Sequence, residues 1–392
     1  MSDVGLYLHI PFCLAKCAYC DFNSYPQMEG IHERYVQAMC AEIRGSAEQH
    51  PALGVDSIYI GGGTPTVLSS SLLMQLLAAC RESFEVADDA EISIEANPGT
   101  VDQDQLTALC AAGINRVSLG AQSFNEHELQ LLERIHTVDQ TREAFDLIRA
   151  AGTCNINLDL IYGLPQQSLT DWTSTLDQAL RLAPEHISLY ALSVEEGTPL
   201  AECIARGELP PPDDDLAADL YTAAEGRLQE AGYAHYELSN WAVKRTPAAG
   251  TPEVLWCRHN LKYWHVDPYL GFGAGAHSHF AGRRFYDVAH PEEYVLRLEN
   301  GLSPTANTAL IGPEESMAEA MILGLRLTEG VRFSDFRQRH GCDLHGQYTH
   351  ALSELAGLGL VTGDDQAIRL TTRGRLLANQ VFLRFWPGTA GS

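Results

Sequence analysis

The chain has 392 residues, which exceeds the roughly 250–300 residues at which a single hydrophobic core usually stops growing. We therefore expect a large domain and a smaller one. Hydrophobic residues make up 45% of the chain and charged residues 20%, as is ordinary for a soluble globular protein. A net charge of −25 repels phosphate backbones, so the composition argues against binding to nucleic acids.

The sequence predicts neither a membrane span nor secretion. No run of about 18 apolar residues occurs, so we expect no transmembrane segment. The first residues lack a basic region followed by an apolar stretch, so we expect no secretory signal. Ten cysteines without an oxidising destination predict reduced thiols and a cytoplasmic location.

Three closely spaced cysteines follow the first predicted strand. Cys13, Cys17 and Cys20 have the spacing C-x3-C-x2-C. An odd number of cysteines in a tight loop does not predict a set of disulfides, and zinc, the main alternative, normally takes four ligands from two separated pairs. Each iron of an iron–sulfur cluster needs one outside ligand, so three thiolates on a [4Fe-4S] cluster leave one iron open. That iron can hold a chelating molecule such as S-adenosylmethionine (SAM).

Six short apolar or β-branched runs recur along the first half, and each is followed by a segment with helical spacing. The runs are residues 6–10, 57–60, 91–95, 116–119, 155–159 and 186–190. Strands that alternate with helices indicate parallel βα units. Because six units are too few for a closed eight-fold barrel, we expect an α/β fold with an open (β/α)6 partial barrel.

Polar residues follow five of these strands, counting the cysteine loop. The glycine-rich residues 61–66 follow the second strand, Glu95 ends the third, Gln122 follows the fourth and Asp159 ends the fifth. In βα barrels the chemistry lies at the C-terminal ends of the strands, so we expect these residues to surround one mouth. Taken one at a time, each is more often simple turn chemistry.

Two features near the cysteines have alternative interpretations. The glycine run lets the backbone approach a ligand closely, yet tight turns look the same, and the run lacks the GK[ST] ending of a nucleotide-binding loop. Tyr19, just before Cys20, would cover the cluster or an adenine ring, or simply pack within the loop.

The second half of the chain predicts a different organisation. A stiff acidic connector at residues 209–215 precedes a helix at 216–231, and residues 232–294 look irregular and rich in His, Trp and Tyr. Beyond Pro304, three helices and a hairpin follow in the order of a winged helix, at residues 314–327, 334–340, 344–358 and 360–371. The candidate recognition helix has few basic residues, so we expect a packing or protein-contact role.

These observations divide the chain into four parts. We predict a barrel core at residues 1–235, a connecting region at 236–303, a C-terminal winged-helix-like α+β domain at 304–386 and a flexible tail at 387–392.

Four ordered segments carry a specific resemblance to a known family. They are residues 7–13, 61–66, 120–124 and 159–165, with the sequences YLHIPFC, GGGTPT, GAQSF and DLIYGLP. With the cysteine loop, they resemble the oxygen-independent coproporphyrinogen dehydrogenase branch of the radical SAM superfamily. The resemblance covers nearly the whole chain, including the C-terminal module, and implies a radical SAM partial (β/α)6 TIM barrel.

The resemblance also implies site residues. By it, Cys13, Cys17 and Cys20 hold a [4Fe-4S] cluster. Positions that contact SAM in this family are matched by Tyr7, Gly63, Thr64, Glu95, Gln122, Arg134, Asp159 and Ala191. Carboxylates suit the ribose hydroxyls, and Arg134 suits the methionine carboxylate or a neighbouring acid.

Two departures point to a sister group within this branch. The dehydrogenases have a fourth cysteine two residues after the third, where this chain has Phe22, and an N-terminal extension before the first strand, where this sequence starts six residues before Tyr7. The sister group, the haem chaperones, has a motif that resembles residues 17–24, CAYCDFNS.

A further segment matches the H-N-x-x-Y-W signature of the haem chaperones, at residues 259–264. An imidazole such as that of His259 can be an axial iron ligand, and Tyr263 and Trp264 offer flat apolar faces to a macrocycle. The alternative is a buried histidine satisfied by hydrogen bonds beside an aromatic core. Cys257, His277 and His279 are nearby alternative ligands.

Two functional hypotheses follow. In the first, the protein binds haem and passes it to an acceptor protein, on a scaffold with a [4Fe-4S] cluster and SAM. In the second, it is an oxygen-independent coproporphyrinogen III oxidase that converts propionates to vinyl groups by radical decarboxylation. A winged-helix DNA-binding regulator is disfavoured by the acidity. The sequence leaves open the acceptor, covalent attachment of haem, cleavage of SAM and the oligomeric state, a homodimer included.

Overall fold

The structure, a computed structural model, describes residues 3–153, 155–245 and 253–387. Its first part alternates strands with helices. The strands are β1 (Val4–Ile10), β2 (Phe12–Cys13), β3 (Tyr25–Pro26), β4 (Gly54–Gly62), β5 (Glu85–Ala96), β6 (Arg116–Gln122), β7 (Asn155–Tyr162) and β8 (His186–Ala191). The helices are α1 (His32–Gln49), α2 (Ser70–Ser83), α3 (Gln103–Ala111), α4 (Glu126–Leu131), α5 (Val138–Ala150), α6 (Leu169–Arg181), α7 (Pro199–Ala205) and α8 (Asp214–Glu230).

Six strands of this part pair in parallel, in the order β8-β7-β6-β5-β4-β1. They contain the six predicted runs, so the predicted α/β partial barrel is confirmed. Along β1, Leu6, Leu8 and Ile10 are fully buried in the main hydrophobic core, as expected of a parallel sheet that helices cover. Ser168 forms a capping box at the start of α6, which explains why that helix begins there.

The second part continues the same sheet. Its strands are β9 (Tyr233–Glu237), β10 (Asn240–Arg245), β11 (Glu253–Val254), β12 (Tyr269–Phe272), β13 (His277–Phe280), β14 (Arg283–Asp287) and β15 (Thr305–Leu310). Its helices are α9 (Arg258–Trp264) and α10 (Pro291–Glu299). Strand β12 lies parallel to β1 on the side opposite β4, and it adds a seventh strand to the parallel row.

The prediction that residues 232–294 are irregular is therefore wrong. Strands β10 and β9 pair antiparallel beyond β8, while β13, β14 and β15 extend the sheet beyond β12. These strands are short, and β12 pairs with β1, which lies at the other end of the chain. No local sequence pattern can reveal such a partner.

The third part has a hydrophobic core of its own, which includes Met321, Phe336, Leu355 and Val381. Its elements are α11 (Pro313–Gly324), β16 (Val331–Arg332), α12 (Phe333–His340), α13 (Leu344–Gly357), β17 (Val361–Gly363), β18 (Ala367–Leu370), α14 (Thr372–Leu376) and α15 (Ala378–Phe382). The strands form an antiparallel sheet in the order β16-β18-β17. The predicted helices and hairpin are thus present in winged-helix order.

The division of the chain into domains by residue number stays a prediction. Residues 246–252 of the predicted connecting region and residues 388–392 of the predicted tail lie outside the described residues. Among the helices that the structure describes, none is both long and apolar enough to cross a bilayer.

Candidate cofactor site at the barrel mouth

A cavity of about 550 Å³ opens at the C-terminal ends of the parallel strands. We call it the mouth cavity. The predicted site residues that line it are Cys13, Cys17, Tyr19, Cys20, Gly63, Thr64, Glu95, Gln122, Arg134, Asp159 and Ala191. These residues are spread over most of the first half of the chain. The structure therefore brings them together as expected for the ends of successive parallel strands; Tyr7 and His259 do not line the cavity.

Polar neighbours face the three cysteines of the loop. The Thr64 hydroxyl donates to Cys13 Sγ at 3.6 Å, and Arg134 Nη1 donates to Cys17 Sγ at 3.2 Å. Burial raises the pKa of the Cys13 and Cys20 thiols. A metal or a nearby cation would stabilise the thiolate forms that burial disfavours.

Glycine at position 63 lets the cysteine loop and the β4 loop touch. A Cβ atom on Gly63 would lie 2.6 Å from the Phe12 carbonyl oxygen and 2.9 Å from Cys13 Sγ, so any larger residue would push the loops apart. The backbone N–H of Gly63 donates to Ile10, and that of Thr64 donates to Phe12. On the other side, Asn23 Nδ2 donates to the carbonyls of Ala274 and Ala289, each at 3.0 Å.

The donor set of this loop fits a cluster of several irons. Within residues 3–153, 155–245 and 253–387, no group of three or more His, Cys, Asp or Glu side chains is arranged to hold a single metal ion. Three thiols from one loop nevertheless open to one cavity. A polynuclear cluster takes one outside ligand on each of several separated irons, which suits thiols that do not converge on one point.

Glu95 is the carboxylate nearest to the glycine-rich loop. Its Oε1 accepts from the Tyr59 hydroxyl at 2.8 Å, and its Oε2 accepts from the N–H of Gly62 at 3.0 Å. Burial raises the pKa of Glu95 to about 7, against the opposing effect of these two hydrogen bonds. A ligand with hydroxyl or ammonium donors would favour the ionised form.

Asp159 lies across the cavity on β7. Its oxygens accept from the Ser118 hydroxyl at 2.7 Å and from Asn157 Nδ2 at 2.9 Å. Burial raises its pKa too. Glu95 and Asp159 are thus two fixed acceptors on strands that β6 separates.

Arg134 supplies positive charge beside Cys17. Its Nη2 donates to Asn97 Oδ1 at 2.5 Å and to the Gly120 carbonyl at 3.0 Å, while its buried Nε has no hydrogen-bond partner among the described residues. An unpaired buried donor of this kind calls for an acceptor. A carboxylate near the cysteine loop would complete it, which fits the amino-acid end of SAM.

The remaining predicted residues shape the cavity wall. Gln122 adopts a left-handed backbone conformation with φ of 63°, which is uncommon for a residue with a side chain and typical of functional turns. Thr64 accepts from Asn97 Nδ2 at 2.7 Å. Tyr19 packs against the apolar group formed by Leu132, Ile161 and Leu164.

The structure places His259 away from the mouth cavity. It is fully buried on α9, with Ser57 Oγ at 3.0 Å from Nδ1 and the Tyr263 hydroxyl at 2.8 Å from Nε2. Burial lowers its pKa to about 3, so the ring is neutral. Each ring nitrogen already has a hydrogen-bond partner in this conformation, so haem ligation by His259 would require the ring to exchange one of them, and this ligation stays a prediction.

Tyr7 lies beside His259 rather than at the cavity surface. The two ring centroids are 6.5 Å apart, and the Tyr7 hydroxyl bonds to Nδ1 of His9 at 2.8 Å. The Tyr7 ring also stacks on Tyr59, whose hydroxyl reaches Glu95. Any contribution of Tyr7 to a ligand in the mouth cavity would pass through Tyr59 in this conformation.

The other candidate haem ligands differ in their surroundings. Cys257 is fully buried and its thiol faces Glu91, whereas His277 is exposed and stacks on Tyr286. His279 is partly buried and lines a second cavity of about 300 Å³. That cavity, which we call the side cleft, is lined by Tyr263, Val266, Asp267, Tyr269, His279, Arg284, Glu319, Ile322, Leu323 and Trp386.

Three side chains that support the site were not predicted as site residues. Tyr59, Asn97 and Ser118 hold Glu95, Thr64 and Asp159 in place, respectively. Tyr59 and Ser118 lie on predicted strands, each four residues before a mouth residue (Gly63 and Gln122) and therefore on the same face of the strand. Period-two alternation along β4 and β6 could have placed them on the inner face.

Comparison with known proteins gives a consistent result. Residues 7–179 match the radical SAM superfamily, and residues 311–377 match the HemN C-terminal domain. The haem chaperone HemW of Mycobacterium tuberculosis is 38% identical over 380 residues, which cover 96% of this chain and 93% of that protein. HemW of Bacillus subtilis is 36% identical over 381 residues, which cover 97% of this chain and 98% of that protein.

A solved structure shows the same fold. The coproporphyrinogen III oxidase HemN of Escherichia coli, a radical SAM enzyme, superposes with a TM-score of 0.84 at 25% identity, over 98% of this chain and 90% of that chain. The likeness extends through both the barrel and the C-terminal elements.

Proposed function

Because the chain belongs to the HemW family of haem chaperones within the radical SAM superfamily, we propose that it binds haem and passes it to an acceptor protein. The observation that carries this proposal is the 38% identity to a HemW over nearly the full length of both chains. The superfamily implies a [4Fe-4S] cluster and SAM, and the HemW name implies haem.

The cluster is proposed to be held by Cys13, Cys17 and Cys20. Support comes from the shared cavity, the absence of bulk at Gly63 and the Arg134 guanidinium beside Cys17. When bound, such a cluster supplies an open iron and an electron at low potential. The chain itself presents the three thiols from one loop. Glycine at position 63 leaves room for that loop to contact the β4 loop.

SAM is proposed to fill the rest of the mouth cavity. The unpaired Nε–H of Arg134 would donate to the carboxylate of SAM. Glu95 and Asp159 would accept hydrogen bonds from the hydroxyl and amino groups of SAM. Gly63, Thr64, Gln122, Tyr19 and Ala191 would form the walls. Tyr7 would act through Tyr59, since its ring stacks on that residue.

Haem is proposed to bind as cargo in the side cleft, with His279 as the iron ligand. Of the four candidate ligands His259, Cys257, His277 and His279, it is His279 that lines one of the two cavities described above. The cleft offers the rings of Tyr263 and Tyr269 and the guanidinium of Arg284. Its volume is at the lower end of small-molecule sites, about 300–1,000 Å³, so part of the macrocycle would remain outside.

Haem titration with absorption spectroscopy tests this ligand assignment. His279→Ala is expected to lose the low-spin Soret signal and to weaken haem binding by at least about tenfold, as loss of an iron ligand should. His259→Ala is expected to keep the haem signal, because His259 lies outside the cleft. The reverse result would make His259 the ligand, after a rearrangement of α9. A wild-type protein that binds no haem would refute the proposed function itself.

The second candidate function is oxygen-independent coproporphyrinogen III oxidation. The structural match to HemN over 98% of this chain favours it. Anaerobic incubation with reductant, SAM and coproporphyrinogen decides between the two. Vinyl formation would replace the chaperone proposal, whereas haem transfer without vinyl formation would support it.

The remaining parts of the proposal concern the protein's setting. We propose a cytoplasmic location, supported by the nine cysteines of the described residues, which are all free thiols. Nucleic acid is not a proposed partner, because the net charge is −25. The acceptor protein and a homodimer stay open proposals, which pull-down of haem-loaded protein and sedimentation would test.

A further inference from the structure

A layer of buried polar residues lies beneath the mouth cavity. It includes Glu91, Arg116, His186 and His259, all of which have almost no exposed surface. Glu91 precedes Glu95 by four residues on β5, and Arg116 begins β6, so these side chains lie deeper in the barrel than the cavity lining. We call this layer, together with α9, the barrel floor.

His259 supports one cavity carboxylate through a single intermediate. Its ring stacks on Tyr59, with centroids 5.3 Å apart and planes at 28°. The Tyr59 hydroxyl in turn donates to Glu95 at 2.8 Å. The position of the His259 ring therefore limits where the Tyr59 ring can lie, and so where its hydroxyl meets Glu95.

His186 supports the other carboxylate in the same manner. Its Nδ1 donates to Asn157 Oδ1 at 2.6 Å, and Asn157 Nδ2 donates to Asp159 at 2.9 Å. The second ring nitrogen of His186 accepts from the Tyr236 hydroxyl at 2.8 Å. Glu95 and Asp159 thus each depend on one buried histidine through one intervening side chain.

Both histidines are held as neutral rings. Burial lowers the pKa of His259 to about 3 and that of His186 well below its usual value. A neutral imidazole has one donor and one acceptor, and each ring satisfies both. Such a ring is a fixed spacer in its surroundings, not a group that gains or loses a proton near pH 7.

The floor also fixes α9 itself. The backbone N–H groups of Arg258 and His259 donate to the Glu91 carboxylate at 2.8 and 3.1 Å. Gly5 on β1 leaves room for the helix, since a Cβ there would lie 3.0 Å from the His259 ring. The first turn of α9, and with it His259, is therefore clamped from the β5 and β1 sides.

We propose that His259 and His186 are positioning residues of the SAM site, which orient Glu95 and Asp159 through Tyr59 and Asn157. The motif residue His259 thus serves the cofactor at the mouth. This inference rests on the proposal that SAM binds in the mouth cavity. It assigns a role to His186, which no sequence pattern indicated.

SAM titration of the anaerobically reconstituted full chain tests the inference, read by calorimetry and by the change in the cluster's electron paramagnetic resonance signal. One hydrogen bond is typically worth about 1 kcal/mol, so loss of orientation at one carboxylate corresponds to about a 3- to 10-fold weaker Kd. His259→Ala is expected to show this weakening with unchanged iron content. His350→Ala, which changes an exposed histidine on α13, is the control and is expected to bind SAM as the wild type does.

A double-mutant cycle separates positioning from general destabilisation. Tyr59→Phe keeps the ring and loses only the hydroxyl that bonds to Glu95, so wild-type SAM affinity in this variant would overturn the route through Tyr59 even if His259→Ala fails to fold. If His259 acts through Tyr59, adding His259→Ala to Tyr59→Phe is expected to cause little further loss of SAM affinity. Full additivity would overturn the inference.

Other outcomes are equally decisive. SAM binding by His259→Ala with wild-type affinity would overturn the role of His259. Equal weakening by His350→Ala would overturn it as well, because the effect would not be specific to the floor. For the second arm, Tyr236→Phe removes one partner of His186 and is expected to weaken SAM binding by about twofold; an unchanged Kd would remove His186 from the proposal. A wild-type protein that binds no SAM would refute the proposed function instead.

Discussion

The mouth and the floor of the same barrel contain similar residue types, but these residues have different roles. At the mouth, cysteines, carboxylates and an arginine line an open cavity, and at least one donor, Arg134 Nε, is unpaired. At the floor, Glu91, Arg116 and two histidines are buried, and the hydrogen bonds of both imidazole rings are complete. Depth along the strand, and not residue type, separates the groups that line the cavity from those that are packed inside the barrel.

Removing a mouth cysteine should have the largest effect. Cys17→Ser is expected to abolish the cluster, because a serine hydroxyl is a far poorer ligand for iron than a thiolate. The measurement is iron and sulfide per chain after anaerobic reconstitution. Cys203→Ser, which changes a partly exposed cysteine outside the mouth cavity, is the control and should retain full iron. Wild-type iron content in Cys17→Ser would contradict the cluster assignment.

Removing a floor carboxylate should instead lower the free energy of unfolding. Glu91→Ala leaves the N–H groups at the start of α9 unpaired and removes one counter-charge of the buried Arg116. Breaking a buried charge arrangement of this kind costs about 3–5 kcal/mol of unfolding free energy. Urea denaturation measures it. The control is Glu299→Ala, which removes an exposed pair with Arg34 and should cost less than about 1 kcal/mol.

Neutralising a mouth carboxylate should stabilise the protein at high pH. Burial raises the pKa of Glu95 from 4.5 to about 7, so the folded state favours the protonated form. The resulting stability is full below pH 4.5 and is lost as the pH rises through 7. Glu95→Gln avoids that loss and is expected to be about 1–3 kcal/mol more stable than the wild type at pH 8, with no gain near pH 4.5.

Chemical denaturation of cluster-free protein at the two pH values checks the Glu95 prediction. A gain of equal size at both values would mean that ionisation of Glu95 is not the cause. If Glu95→Gln gains stability and also loses SAM binding, then Glu95 lowers the stability of the folded protein in order to bind the ligand.

The smallest effect is expected at the rim of the mouth. Phe22 is 65% exposed and lies where the related dehydrogenases carry a fourth cysteine. Phe22→Cys is expected to leave iron and sulfide per chain unchanged, because three thiolates already complete the protein's ligand set. The same reconstitution assay measures it. A clear increase in iron would show that the rim can bind metal by itself.

Much of the mouth was accessible from the sequence because its signals are local. Cys13, Cys17 and Cys20 lie within eight residues of one loop, and Glu95 and Asp159 stand at the ends of strands that short apolar runs predict. Parallel strands bring their C-terminal ends to one side, so the clustering followed from the order of the elements. The capped helix α6 was likewise predictable from Ser168.

The floor was not accessible, because its interactions are non-local. His259 meets Ser57 and Tyr59, and β12 meets β1, across most of the length of the chain. A histidine in an aromatic motif looks the same in a sequence whether it binds iron or fills a buried layer. The side cleft was equally hidden, since it forms between β12–β14 and α11 of the C-terminal elements.

The pairing of β12 with β1 has a consequence for biosynthesis. The cysteine loop is synthesised well before β12. Strand β1 gains its second neighbour only with residues 269–272, and Asn23 of the loop is anchored by Ala274 and Ala289. At about 5–20 residues per second, the thiols wait on the order of 10–50 s for these anchors. Iron–sulfur assembly on a nascent chain would therefore meet a loosely held loop, and chains halted before residue 269 should lose the loop to proteases faster than chains released after residue 300.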